Sequence, residues 1–196
     1  MVRPRSFDAA SVVRSVKEEF WDEGFDATGV SDLERATGLN RSSLYQAFGS
    51  KGSLFEAALD VYIADFVDPR VAPMERNGAG LPEVKHFFLG LGDFFEKPSA
   101  QRGCMWVNAI GELSGRSADV EVRGAEYLER LRAAFRNALT GAFAAHPGSS
   151  GGLERRARLL AATTLGIWLA ARVDTSLAAI SCRAVVDEID SWASAL

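Results

Sequence analysis

The stretch RATGLNRSSLYQAFGSK, Arg35 to Lys51, places Arg41, Ser42, Tyr45 and Gln46 on one face at helical spacing. That face suits a nucleic-acid duplex. Arg41 can donate two bonds to a guanine edge or pair with a phosphate, and Gln46 can make a two-bond pair with adenine. Ser42 and Ser43 are small enough to let a helix approach a groove. Tyr45 can set its hydroxyl on a phosphate. Lys51 adds a charge beside amides at the start of the next helix, and Thr28 is placed to contribute ahead of an earlier one. Arg3 and Arg5, split by Pro4, form a short basic arm suited to a minor groove.

These residues must be held by short helices. A first helix spans about Asp8–Glu23, with Val12, Val13, Val16 and Phe20 on one face and Gly24 as its stop. Ser31 and Glu34 have capping-box spacing for a second helix that ends at Gly38. Asn40 is a good N-cap for a third, ended by Gly49, and Ser50 caps a fourth that runs to about Val67. Val30, Leu33, Ala36, Leu39, Leu44 and Phe48 point inward. Two short helices joined by a glycine turn are a helix-turn-helix arrangement.

Charge is distributed to match. Residues 1–51 carry seven basic and eight acidic side chains, yet Leu39–Lys51 holds two bases and no acid. The whole chain, at 196 residues with net charge −4, is no general polyanion binder, so duplex binding must rest on that local face.

Beyond Pro69 and Pro73, which close the N-terminal region, the chain again reads as helices. PEVKHFFLGLGDFFE, about 82–96, carries more aromatic residues than one stripe needs. Helices over about 103–114, 118–145, 153–172 and 175–195 follow, with HPGSSGG (His146–Gly152) as a loop and Asp174 or Thr175 as the last cap. The fold class is all-α: an N-terminal three-helix helix-turn-helix bundle, the DNA-binding segment 1–52, joined to a C-terminal helical domain, 53–196. The fourth helix bridges them, and the junction in composition lies near its end.

Catalytic signals are lacking. His86 can face a cavity from the aromatic helix, or be structural; His146 sits in the loop. No zinc-spaced Cys/His set, nucleophile elbow or P-loop occurs, so no enzyme, metal or cofactor is expected. Two cysteines, Cys104 and Cys182, fit a reducing compartment. With no signal-peptide pattern and no apolar run near ~18 residues, a cytoplasmic location is expected. Cys104, at a helix start, is either a dipole-activated thiol or a small core residue. Asn108 and Glu112 are either polar groups in an apolar pocket or solvated.

The stretch Phe7–Leu59 resembles the N-terminal domain of the TetR family of bacterial transcriptional regulators. The resemblance rests on Gly24-Phe25-Asp26-Ala27-Thr28, on Gly38-Leu39 through Leu44-Tyr45 to Phe48, and on Lys51 with Leu54. It implies that Thr28, Arg41, Ser42, Ser43, Tyr45, Gln46 and Lys51 meet operator DNA. Gly29, Glu34 and Ser42 depart from the usual residues there. The resemblance further implies a homodimer through the last two helices, about 153–172 and 175–195, with Leu160, Thr164, Ile167 and Trp168 as apolar candidates. It also implies a small-molecule effector, which makes the C-terminal segment 53–196 a ligand-binding and dimerisation domain. The candidates for that site are Phe87, Phe88, Phe94, Phe95, Met105, Trp106, Asn108, Glu112 and Tyr127, suiting an apolar or aromatic molecule. RGCMWVNAIGEL resembles a subset in which some members sense electrophiles or oxidants through a cysteine. The function expected is a ligand-responsive regulator, most simply a repressor. The alternatives are a thiol sensor acting through Cys104 and a small-molecule binder with a vestigial DNA domain.

Overall fold

A computed structural model describes residues 7–144 and 152–194. Arg3, Arg5, His146 and Ala195 lie outside the described residues. The described residues form helices and connecting turns, without strands. The chain divides into two compact units, one up to Val67 and one from Asp68.

The first unit holds α1 (Ala9–Glu23), α2 (Val30–Thr37), α3 (Arg41–Phe48) and α4 (Lys51–Tyr62), followed by a π-helical turn, Ile63–Val67. Asp8 caps α1 by accepting from the Ala10 amide. α1 lies along α4, because their apolar faces interlock through rings. Phe20 meets Phe55 edge-on at 5.0 Å, and Trp21 meets Tyr62 at 4.9 Å. Leu33 and Leu44 are fully buried beneath α2 and α3. The division at Val67 differs from the expected 52/53 boundary because α4 supplies as many residues to this core as α1: Leu54, Phe55, Ala58, Leu59 and Tyr62 are all buried.

Two local expectations are corrected. Ser31 does not cap α2. Gly29 holds that position, and the Asp32 carboxylate accepts from its amide at 2.8 Å. That amide, with Arg35 beside it, holds the Asp32 carboxyl below its ordinary range. Glu34 turns elsewhere, as described below. Nor do Pro69 and Pro73 end the helical region, since both lie within α5 (Asp68–Glu75). A π turn shifts the hydrogen-bond register just ahead of Pro69. Buried Val71 and Met74 offset the interior-proline cost of about 3 kcal/mol at Pro73.

The second unit continues with α6 (Leu81–Phe95), a 3-10 turn (Pro98–Arg102), α7 (Met105–Leu113), α8 (Ala118–Phe143), α9 (Leu153–Ala171) and α10 (Thr175–Ser194). Asp174 caps α10, accepting from the Ser176 and Leu177 amides. α6 packs on α10 and also against α8, while α8 lies on α9. α5 is tied to α8 by Arg130, which bonds Asp68 and both oxygens of Glu75. Asn137 strengthens that tie by donating to the Met74 carbonyl at 2.7 Å.

Candidate nucleic-acid interface and effector site

Gly38, at φ 69°, takes the left-handed turn that joins α2 to α3. Two side chains then satisfy amides at the start of α3. Asn40 accepts from the Ser43 amide at 2.9 Å, and Glu34 reaches across the turn to accept from the Arg41 amide at 2.6 Å. The Glu34 contact has no local sequence signal, because seven positions and a turn separate the partners.

The outward face of α3 presents Arg41, Ser42 and Gln46 to solvent, with Ser43 and Tyr45 half-buried beside them. The Arg41 guanidinium lies 5.5 Å from the Tyr45 ring centroid. The Lys51 ammonium lies 4.6 Å from the centre of the Phe25 ring. Both cations are thus steered by aromatic faces while their charge stays outside the core. Ser42 donates to Asn40 at 2.7 Å, which fixes its hydroxyl and leaves oxygen lone pairs outward.

Thr28 is placed differently from the other six. Its side chain is fully buried, and its hydroxyl donates to the Gly24 carbonyl at 2.6 Å. The side chain fastens the turn ahead of α2 and offers no surface. The sequence motif identifies the position but does not reveal which way it faces.

In the second unit the expected effector residues fall into three clusters. Phe87 and Phe88 pack with Phe135, Phe88 stacked on it at 5.7 Å. Phe94 and Phe95 pack edge-on against Trp168, at 5.7 and 5.1 Å. All four α6 phenylalanines are core residues. The aromatic excess of α6 is consumed by its position between neighbours on several sides. The third cluster joins α7 to α8. Trp106 and Tyr127 stack with centroids 6.0 Å apart and planes 13° from parallel. A side chain at Gly124 would meet Ile110 at 3.0 Å, so that glycine permits this approach of the two helices.

Cys104 Sγ lies 3.8 Å from the Tyr127 hydroxyl, and Arg123 stands 5.4 Å over Trp106. Met105 is buried alongside. Burial first, then the neighbouring Cys104, raises the Tyr127 phenol well above its ordinary range. Trp106 is fully buried, and its Nε1–H has no hydrogen-bond partner among the described residues. Asn108 is committed to structure, donating to the Arg102 carbonyl at 2.7 Å. Glu112 is half-buried on the same helix, whereas His86 faces solvent.

The expected dimer residues are also placed otherwise. Leu160, Thr164, Ile167 and Trp168 are at most 3% exposed inside the protomer. The exposed apolar side chains of the last helices are Leu159, Leu169, Val173, Leu177 and Ile180. A helix buried on two faces hides which stripe points inward, and α9 is such a helix.

Residues 15–58 match the family model described as bacterial regulatory proteins, tetR family. The HTH-type transcriptional repressor BdcR of Escherichia coli (strain K12) is 41% identical over 122 residues, 62% of this chain and 61% of that protein. The HTH-type transcriptional repressor ComR of the same organism is 30% identical over 119 residues, 60% of this chain and 57% of that protein. The matches thus span about three fifths of each curated relative. A cysteine mutant of the TetR family transcriptional regulator CifR, complexed with 26bp double-strand operator DNA, superposes with a TM-score of 0.74. That match is 22% identical and covers 95% of this chain and 97% of CifR, a likeness of fold.

Proposed function

Residues 15–58 match the tetR family of bacterial regulatory proteins, and we propose that the chain is a ligand-released transcriptional repressor of that family. The observation that carries this reading is the acid-free outward face of α3. Arg41, Ser42 and Gln46 are exposed on a helix capped by Asn40 and Glu34, with Lys51 at the next helix start. α3 enters the major groove. Arg41, Ser42 and Gln46 address base edges, while Tyr45, Ser43 and Lys51 hold phosphates. Thr28 contributes by fixing the turn. The operator complex of CifR supports duplex DNA as the partner.

A single short recognition helix reads few base pairs, so two copies reading a near-palindrome supply the specificity. The exposed apolar residues of α9 and α10 are the surface for that homodimer. Leu159 and Leu169 on α9, Val173 just after it, and Leu177 and Ile180 on α10 are the exposed apolar side chains available to it. An apolar or aromatic effector binds at Met105, Trp106 and Tyr127, with Glu112 at its edge. α4 is the lever, since the covalent path between the units runs through it. A coupling of ~1–3 kcal/mol would change operator affinity about 5- to 150-fold.

A second reading draws on the 3.8 Å contact of Cys104 with Tyr127: a thiol sensor of electrophiles. The thiol is only 1% exposed, so its modification would require local opening. Selection of bound duplexes from a random pool by the purified protein tests the principal reading. Recovery of a near-palindrome supports it, and recovery of no sequence identifies a binder with a vestigial DNA domain. Loss of the response to electrophiles alone in Cys104→Ser would favour the second reading.

A further inference from the structure

The Trp106 indole is fully buried, yet its Nε1–H meets no hydrogen-bond acceptor among the described residues. Buried donors are nearly always satisfied, so an orphan calls for an acceptor to explain it. Its surroundings define what would satisfy it. The Tyr127 ring stacks on the indole, and the only polar contact of the Tyr127 hydroxyl among those described is a long one to sulfur, at 3.8 Å. Burial keeps that phenol protonated, so it too is available as a donor. The Arg123 guanidinium stands 5.4 Å from the centre of the Trp106 ring. Arg130, one turn along α8 from Tyr127, is already engaged by Asp68 and Glu75. The cluster therefore offers two neutral donors, the Trp106 indole and the Tyr127 hydroxyl, on an aromatic platform with Arg123 and Glu112 at its edge.

Resting on the ligand-responsive reading above, we propose that the effector has an apolar or aromatic body and a neutral hydrogen-bond-accepting oxygen of carbonyl type, which accepts from Trp106 Nε1. The oxygen lies within reach of the Tyr127 hydroxyl, and the body packs against the stacked rings. A hydrocarbon of the same shape leaves the indole donor unsatisfied. An amine cation offers no acceptor to either donor.

The test uses matched probes on the full chain: acetophenone against ethylbenzene, and benzophenone against diphenylmethane. Binding is read by calorimetry and by the indole cross-peaks of 15N-labelled protein, with the Trp106 peak identified as the one missing from Trp106→Phe. A ketone is expected to bind roughly 2- to 12-fold more tightly than its hydrocarbon, the ratio of one net hydrogen bond. It should also move the Trp106 peak downfield, and Trp106→Phe should abolish the preference. Should that variant fail to fold, Tyr127→Phe, which keeps the ring and removes the second donor, must reduce the preference. Equal binding within each pair, a preference that survives both substitutions, or no ketone binding would overturn the proposal. Duplex affinity is measured in parallel. Ketone preference with unchanged duplex affinity would sink ligand release and leave this site standing. Duplex release by ketone and hydrocarbon alike would do the reverse.

Discussion

The Glu34 carboxylate on α2 accepts from the Arg41 amide at the first turn of α3, at 2.6 Å, so α3 is capped partly from its neighbour. The bond fixes the angle at which α3 leaves the turn, and it places one negative charge at the edge of an otherwise acid-free face. Glu34→Ala should lower stability by about 1 kcal/mol, the ordinary worth of a cap, read as a drop in Tm. Glu34→Gln keeps an acceptor and removes the charge. It should leave Tm nearly unchanged while raising duplex affinity a few-fold at low salt. Weaker duplex binding by Glu34→Gln would show that the charge itself serves recognition.

Tyr45 and Lys51 are assigned to phosphates, Gln46 to a base edge. Tyr45→Ala or Lys51→Ala should weaken binding to all duplexes. Lys51→Ala should also reduce the slope of log affinity against log salt by about one. Gln46→Ala should instead relax preference at one position of the half-site, at about 1–3 kcal/mol of discrimination. An unchanged salt slope for Lys51→Ala, or a uniform loss for Gln46→Ala, would reassign those residues.

Thr28 separates positioning from contact. Thr28→Val keeps the buried volume and removes the hydroxyl that bonds the Gly24 carbonyl. Stability should fall by about 1–2 kcal/mol in thermal melts, with the salt slope of duplex binding unchanged well below Tm. A reduced salt slope at full stability would return Thr28 to the contact set.

The N-terminal unit is legible in the sequence because its signals are local. Gly24, Gly38 and Gly49 stop helices where they stand, and Asn40 and Ser50 cap as their types demand. What escapes is the contact that crosses a turn, as with Glu34, or the facing of a small polar residue, as with Thr28. In the second unit, apolar spacing locates α6 and α9 but cannot apportion their faces. Phe87 and Phe94 therefore read as pocket lining and pack as core. Trp168 reads as dimer surface and is likewise buried.

The exposed apolar side chains of α9 make a test of assembly. Leu169 is 65% exposed in the protomer. Leu169→Asp should convert dimer to monomer in sedimentation at micromolar concentration, with helicity retained and duplex affinity lost. Ile167→Ala should instead cost about 2–5 kcal/mol of stability, since it opens a cavity within the protomer. A Leu169→Asp protein that remains dimeric would place the interface elsewhere.

Burial raises the Cys182 thiol to about 12. The neutral thiol is the form the fold accommodates, so this group adds no penalty below its unfolded value near 9. From there towards pH 12 only the unfolded chain ionises, and the fold loses stability progressively. Iodoacetamide at pH 8 should leave Cys182 unmodified in the folded protein and label it in denaturant, as read by peptide mass spectrometry. Rapid labelling in the folded state would contradict its burial.

The central claim is that the outward face of α3 reads operator DNA in a dimer. Duplex selection from a random pool, followed by footprinting of the winner with wild type and with the Arg41→Ala, Gln46→Ala double variant, tests it most directly. The account predicts a near-palindromic winner with two protected half-sites about one helical turn apart, ~34 Å. The double variant should lose the preference for it yet remain folded. Selection of no sequence, or equal selectivity by the double variant, would contradict the account.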